Sequence, residues 1–215
     1  MLDVRMFTVG PVQENCFIVR VKGASSAVIV DPGDEPERLL GAIESLGIER
    51  LDAILLTHTH FDHVGAGTPV ARATGAPVYC PELETHVLAN IMDFVPWEGF
   101  GPFESYEADH TVKGGETLEL AGLTIDVLFT PGHSPGHVTY AVRGEDALLS
   151  GDVLFQGSVG RVDLPGGDWP TLLRSIESLI EAHGPDTTVY PGHMGITTLG
   201  HERATNPFLR ELAAN

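Results

Sequence analysis

Three imidazoles and one carboxylate fall within six residues in the stretch Thr57-His58-Thr59-His60-Phe61-Asp62-His63-Val64-Gly65-Ala66, directly after an apolar run, Ala53-Ile54-Leu55-Leu56. Side chains alternate along an extended backbone, so His58 and His60 face the same way. A turn must follow, because Gly65 and Gly67 open a helix-like stretch, and that turn returns Asp62 and His63 toward the same space. Neutral imidazole nitrogens and a carboxylate oxygen gathered in this way suit a borderline divalent ion such as zinc. A surface His/Asp cluster without a metal is the bland alternative, and the density of the run after a strand weighs against it.

Three further junctions repeat the pattern of a polar residue where a strand yields to a loop. Thr130-Pro131-Gly132-His133 follows Leu123–Phe129, Gly151-Asp152 follows Ala147–Ser150, and Pro191-Gly192-His193 follows Thr187–Tyr190. Glycine before the functional side chain lets the backbone turn sharply and approach closely. Together with the opening loop, these junctions expect a site at one edge of a sheet sandwich.

Seven candidate ligands result: His58, His60, Asp62, His63, His133, Asp152 and His193. A single closed zinc site uses four and leaves three idle. Two divalent ions use all seven and keep open positions. The expected division gives His58, His60 and His133 to one ion, and Asp62, His63 and His193 to the other, with Asp152 as the bridge. Zinc is the expected metal, with iron or manganese as alternatives. Asp31, at a strand end before Pro-Gly, is a candidate to hold a ligand imidazole from behind, an Asx-turn being the simpler reading. His137 is a weaker candidate for such support. His86, His110, His183 and His201 lack a ligand-like context.

The elements that must position these residues alternate along the chain. Strands are expected at Val4–Val9, Asn15–Val21, Ala27–Val30, Ala53–Leu56, Pro77–Cys80, Glu116–Leu120, Leu123–Phe129, Val138–Val142, Ala147–Ser150 and Thr187–Tyr190. Helices are expected over Glu35–Leu46, Val64–Ala73, Glu82–Phe94, Trp169–Ala182 with Asp168 as N-cap, and Gly200–Ala213. Two mixed sheets packed together with helices outside account for this order, in a single domain over 1–215. Between them, residues 94–106 hold Phe94, Trp97, Phe100, Phe103 and Tyr106 with interspersed Pro and Gly. That segment is either a satellite of the core or a loop overhanging the site.

Composition bounds the partners. Hydrophobic residues make up 42% and charged residues 20% of the 215, as in ordinary globular proteins. The net charge of -18, with scattered Lys and Arg, argues against nucleic acid. No apolar window is long enough for a membrane span, and the stretch Met1-Leu2-Asp3-Val4-Arg5 lacks the basic segment, apolar run and small-residue cleavage site of an export signal. Cys16 and Cys80 are then expected as buried thiols, and the protein as cytoplasmic.

The T-H-x-H-x-D-H loop, with G-H at His133, S-G-D at Asp152 and P-G-H at His193, resembles the metallo-β-lactamase superfamily over nearly the whole chain. The resemblance implies an α/β (α+β) fold, a four-layer αββα sandwich with its metal site at the sheet edge. Leu154–Asp163 and the tail Glu202-Arg203-Ala204-Thr205-Asn206-Pro207-Phe208 are most similar to the short glyoxalase II-like hydrolases. Where that group usually carries tyrosines, this chain has Asp163 and Gly195. An antibiotic-degrading member would usually carry cysteine at Asp152.

The activity implied is hydrolysis of a small anionic thioester such as S-lactoylglutathione. Two ions would bring the pKa of a bridging water from about 15.7 toward neutrality, with Asp62, besides being a ligand, orienting the nucleophile or taking its proton. Arg161 is a candidate anchor for a substrate carboxylate, or one half of a surface ion pair, and Trp97 a candidate binding residue. The rival enzyme reading is a mononuclear iron persulfide dioxygenase acting on glutathione persulfide, its triad being His58, His133 and Asp152. A metal-binding protein without catalysis is the third reading.

Overall fold

A computed structural model describes residues 1–210. Its first sheet takes its six strands in chain order: β1 (Leu2–Val9), β2 (Glu14–Val21), β3 (Ser26–Val30), β4 (Arg50–Leu55), β5 (Val78–Pro81) and β6 (His110–Val112). The first two pairings are antiparallel and the rest parallel. The second sheet holds β7 (Thr117–Leu120), β8 (Leu123–Phe129), β9 (Val138–Val142) and β10 (Ala147–Gly151). A small hairpin, β11 (Leu154–Phe155) and β12 (Ser158–Val159), stands apart from it, and β13 (Thr188–Pro191) and β14 (Thr197–Thr198) complete it. In this sheet only β10 and β13 run parallel.

Strands buried on both faces read as continuous apolar runs, and the pleat divides each run between two cores. In β2, Phe17 and Val19 point between the sheets while Cys16 and Ile18 point outward. The inner core joins Phe17, Val28, Val30 and Leu55 to Ile125, Val127, Tyr140 and Leu149 of the facing sheet. On the outer face of the first sheet lie α1 (Pro36–Ser45), α2 (Phe61–Val64) and α3 (Gly67–Thr74), followed by α4 (Thr85–Leu88). The outer face of the second is covered by α5 (Trp169–Ala182) through Leu172, Ile176 and Leu179. Burial of such side chains contributes about 1.5–3 kcal/mol each. The result is the expected four layers, closed at the end of the chain by α6 (Leu199–Thr205). No described helix is long and apolar enough to cross a membrane. Cys16 and Cys80 are buried free thiols.

Three expected helices differ. The helix after the histidine loop starts earlier and is broken: Asp62 and His63 already sit on α2, Gly65 ends it, and Gly67 begins α3. The expected Glu82–Phe94 helix is three single turns, 3-10 at Glu82–Glu84, α4, and 3-10 at Ile91–Asp93. Glu84 is drawn inward there by the polar contacts described below, which interrupts the helical register. The last helix ends at Thr205 because Asn206, extended, accepts from the N–H of Phe208 and opens a 3-10 turn at Pro207–Leu209. The remainder of that expectation, 211–213, lies outside the described residues. β6 and the β11–β12 hairpin, at two or three residues per strand, are too short to show a period and were not expected.

The Asp168 carboxylate accepts from the N–H of Thr171, as an N-cap should. Replacing Asp168 by Ala is expected to cost about 1 kcal/mol of stability, read as a lower urea midpoint at unchanged slope.

Candidate metal centre

Register brings the seven residues to one edge. β3 and β4 pair in parallel with Val30 opposite Leu55, so Asp31 and the histidine loop leave the sheet side by side. Asp31, at φ 48°, turns its carboxylate inward: Oδ1 accepts from the N–H of Thr57 at 2.7 Å, and Oδ2 accepts from its hydroxyl at 2.6 Å. In the other sheet Gly151 stands opposite Pro191, which sets Asp152 beside His193. A Cβ on Gly192 would overlap the Asp152 carboxylate and the His63 ring, so glycine alone permits this approach. The β8–β9 connection carries His133, and the N–H of Val138 donates to the carbonyl of Thr57 at 2.9 Å, tying the two sheets together at the site.

Two groups of donors face each other. Nδ1 of His60 lies 3.1 Å from Nε2 of His58 and 2.8 Å from Nε2 of His133. Asp62, His63 and His193 form the second group, with Oδ2 of Asp62 at 3.3 Å from Nε2 of His193 and 3.8 Å from Nε2 of His63. Asp152 stands between them: Oδ1 is 3.4 Å from Nε2 of His63, and Oδ2 is 3.4 Å from Nε2 of His133 and 3.6 Å from Nε2 of His193. The structure thus brings all seven sequence-derived candidates together, with His58, His60 and His133 in one donor group, Asp62, His63 and His193 in another, and Asp31 forming a third with His58 and His63.

The outer contacts of the rings fix which nitrogen of each faces outward as a donor. Thr57 gives its hydroxyl proton to Asp31, so it accepts from Nδ1 of His58 at 3.0 Å. Nδ1 of His133 donates to the carbonyl of Arg161 at 2.7 Å, and Nδ1 of His63 to Asp31 at 3.1 Å. Each of these three rings therefore turns its Nε2 inward. The Nε2 atoms of His58 and His133 converge on His60 in the first group, and in the second Nε2 of His63 and Oδ1 of Asp152 are buried without any hydrogen-bond partner. Buried polar atoms left in this way are costly unless a cation completes them. These residues fit divalent metal ions.

Electrostatics differ between the groups. Burial, reinforced by the neighbouring imidazoles, holds His58 well below the usual histidine range, and burial with His133 takes His60 down to about 3. Burial also works against a charged His63, but the carboxylates of Asp152 and Asp62 outweigh it and raise its pKa well above the usual value. Asp152 and Asp62 are lowered, because the adjacent histidines, His63 foremost, overcome the effect of burial.

Above the donors opens a cavity of about 520 Å³ to which His60, Asp62, His133, Asp152 and His193 are exposed. Trp97 and Arg161 both line it. Both readings of the aromatic segment hold in part. Phe100 and Phe103 pack on Phe61 with the outer core, while Phe94 and Trp97 project into the cavity wall. Arg161 likewise lines the cavity and is ion-paired with Asp163, at 2.6 and 2.7 Å.

Sequence reasoning missed several acidic residues. Glu84 is buried and joins two ligand loops: Oε2 accepts from the N–H of Thr59 at 2.7 Å and its hydroxyl at 2.9 Å, while Oε1 accepts from Ser134 and from the N–H of Gly136. Glu14, fully buried, brings Oε1 to 3.7 Å from Nδ1 of His63. Glu202 and Asn206 fasten the β11–β12 hairpin to the tail through Gly157 and Ser158. Their burial comes from contacts distant in the chain, which no local pattern announces. His137 is a satisfied supporting histidine: Nε2 accepts from the N–H of Asp152 at 3.1 Å and Nδ1 donates to Thr130.

The chain belongs to the metallo-β-lactamase superfamily, whose description it matches over residues 9–193. Within it, the chain is 40% identical over 210 residues to the probable metallo-hydrolase YqgX of Bacillus subtilis, covering 95% of this chain and 96% of that one. It is 34% identical to the hydroxyacylglutathione hydrolase GloC of Haemophilus influenzae, covering 97% and 98%. Among solved structures, BLEG-1 B3 metallo-β-lactamase superposes with a TM-score of 0.89 at 39% identity, over 98% of this chain and 100% of that one. TTHA1623 in a di-iron-bound form superposes at 0.77 with 41% identity, over 96% and 100%. The fold, the metal-binding His/Asp set and membership of a group composed mostly of hydrolases follow.

Asp31 holds His63 from behind, so Asp31→Ala is expected to weaken metal binding by about 10–100-fold. Competition with a chromophoric chelator measures it.

Proposed function

We propose that this chain is a binuclear metallohydrolase that cleaves small thioesters, in the manner of glyoxalase II. The observation that carries the reading is the pair of three-donor groups with Asp152 between them. His58, His60 and His133 would hold one ion, Asp62, His63 and His193 the other, and Asp152 both. Zinc is the metal that imidazole-rich donors favour, and iron, present in one structural neighbour, is the alternative.

Two divalent ions held by these residues would supply Lewis acidity toward the thioester carbonyl and would lower the pKa of water from about 15.7 toward 7. The chain supplies orientation and proton handling. Asp62 is ionised, lines the cavity and bonds to His193, which leaves its carboxylate placed to accept a proton from the attacking water. Water oxygen bonds to the carbonyl carbon, the C–S bond breaks, and the sulfur leaves as a thiolate. With an ordinary thiol pKa of about 8.5, that departure needs little acid assistance. The walls formed by Phe61 and Phe155 limit bulk water around the reacting atoms.

S-lactoylglutathione is the first substrate to test, because a relative is named a hydroxyacylglutathione hydrolase. One neighbour is named a B3 metallo-β-lactamase, so a β-lactam belongs in the same panel. The persulfide dioxygenase reading would use His58, His133 and Asp152 alone. It leaves His60, Asp62 and the buried Nε2 of His63 without a task.

Thioester cleavage with no oxygen uptake on glutathione persulfide supports the hydrolase; rapid uptake without cleavage rejects it. Asp62→Ala is expected to reduce kcat by at least about 100-fold with an unchanged circular dichroism spectrum. Activity equal to that of the unaltered protein would remove Asp62 from the mechanism.

A further inference from the structure

We infer that the cavity selects its substrate by an apolar aliphatic or aromatic group beside the scissile bond, and not by the charges of a glutathione carrier. The inference rests on the thioester reading of the site and narrows its substrate class.

The wall chemistry carries it. Beyond the metal-ligand set, the surface facing the cavity is dominated by side chains such as Phe94, Trp97, Phe155, Val159, Leu164 and Met194. Phe94, Trp97 and Met194 are also among the large apolar side chains most exposed to solvent, at 48%, 42% and 54%. Exposed apolar groups gathered around a concave site gain free energy when a ligand covers them.

Charge recognition, by contrast, is almost missing. Among the described residues, the charged side chains on the wall other than the ligand set are Arg161 and Asp93. The Arg161 guanidinium is already engaged, bidentate to Asp163 at 2.6 and 2.7 Å and 5.7 Å above the Trp97 ring. A glutathione carrier brings two carboxylates and one ammonium at neutral pH. It would find a single cation whose charge a neighbouring carboxylate already balances, and an exposed pair of this kind contributes little to binding. Arg161 and Trp97 lie against each other on the cavity lining, where the indole and the apolar stem of the arginine can cover an alkyl chain or a ring.

The test is calorimetric binding of non-hydrolysable thioethers to the metal-loaded protein. Two series run from S-methyl to S-hexyl, one on glutathione and one on neutral N-acetylcysteamine. Kd is expected to fall about fourfold per added methylene on both carriers, the ratio that about 0.8 kcal/mol of transfer free energy gives. At equal chain length the glutathione members should bind within about fivefold of the neutral ones, the most an exposed ion pair adds. Asp163→Asn, by releasing Arg161, should tighten the glutathione series only, and Trp97→Ala should flatten the chain-length dependence of both. A Kd independent of chain length, or glutathione members tighter by an order of magnitude or more, overturns the inference. The hydrolase reading is judged separately: thioethers that bind in the expected order while the matching thioesters survive intact would reject hydrolysis and leave the cavity's apolar preference standing.

Discussion

Nδ1 of His60 stands within hydrogen-bonding distance of Nε2 of both His58 and His133. A single proton on that nitrogen can serve only one of the two well, and His58 and His133 are buried. The rest of this edge of the sandwich is arranged to hold that unfavourable cluster in place. Further protons are a poor answer, because burial and mutual proximity keep His58 and His60 neutral. A divalent ion would satisfy all three nitrogens at once. In the proposed scheme the opposite group, with its carboxylates, would offer a second ion a more anionic seat, with Asp152 between the two.

Such a cluster survives metal-free folding only if its loops are fixed by something other than the metal. Asp31 grips Thr57 and His63, Glu84 joins the Thr59 loop to the His133 loop, and Val138 bonds across the sheets to Thr57. Asp31, Glu84 and Val138 do not line the cavity. All act on backbone or on the outer nitrogen of a ring, where small displacements move a ligand atom most directly. The sheets contribute through register: parallel pairing of β3 with β4, and of β10 with β13, delivers ligand loops to one common edge.

Much of this was legible in the sequence. The ligands are short-range signals, a dense His/Asp loop and Gly-preceded residues at strand ends, and the apolar runs between them specify buried strands directly. Trp169–Ala182 was readable to its ends because Asp168 caps it and its apolar face has a clear period. The contacts that secure the site were not readable. Glu84 and Glu202 look like surface acids until the fold carries distant N–H and hydroxyl groups to them. Likewise, the chain around 82–94 has helical composition, yet an inward pull on one side chain breaks it into turns. The aromatic segment divides between core and cavity around Phe61, on which Phe100 and Phe103 pack with the outer core while Trp97 meets it edge-on from the cavity wall.

The central claim is that two ions share Asp152, and metal stoichiometry tests it most directly. Mass spectrometry of the intact protein, purified without chelator and under native conditions, counts metals per chain. The account predicts two, falling to one when His193 is replaced by Ala while the His58–His60–His133 group keeps its ion. One ion per chain, unchanged by that substitution, would contradict it.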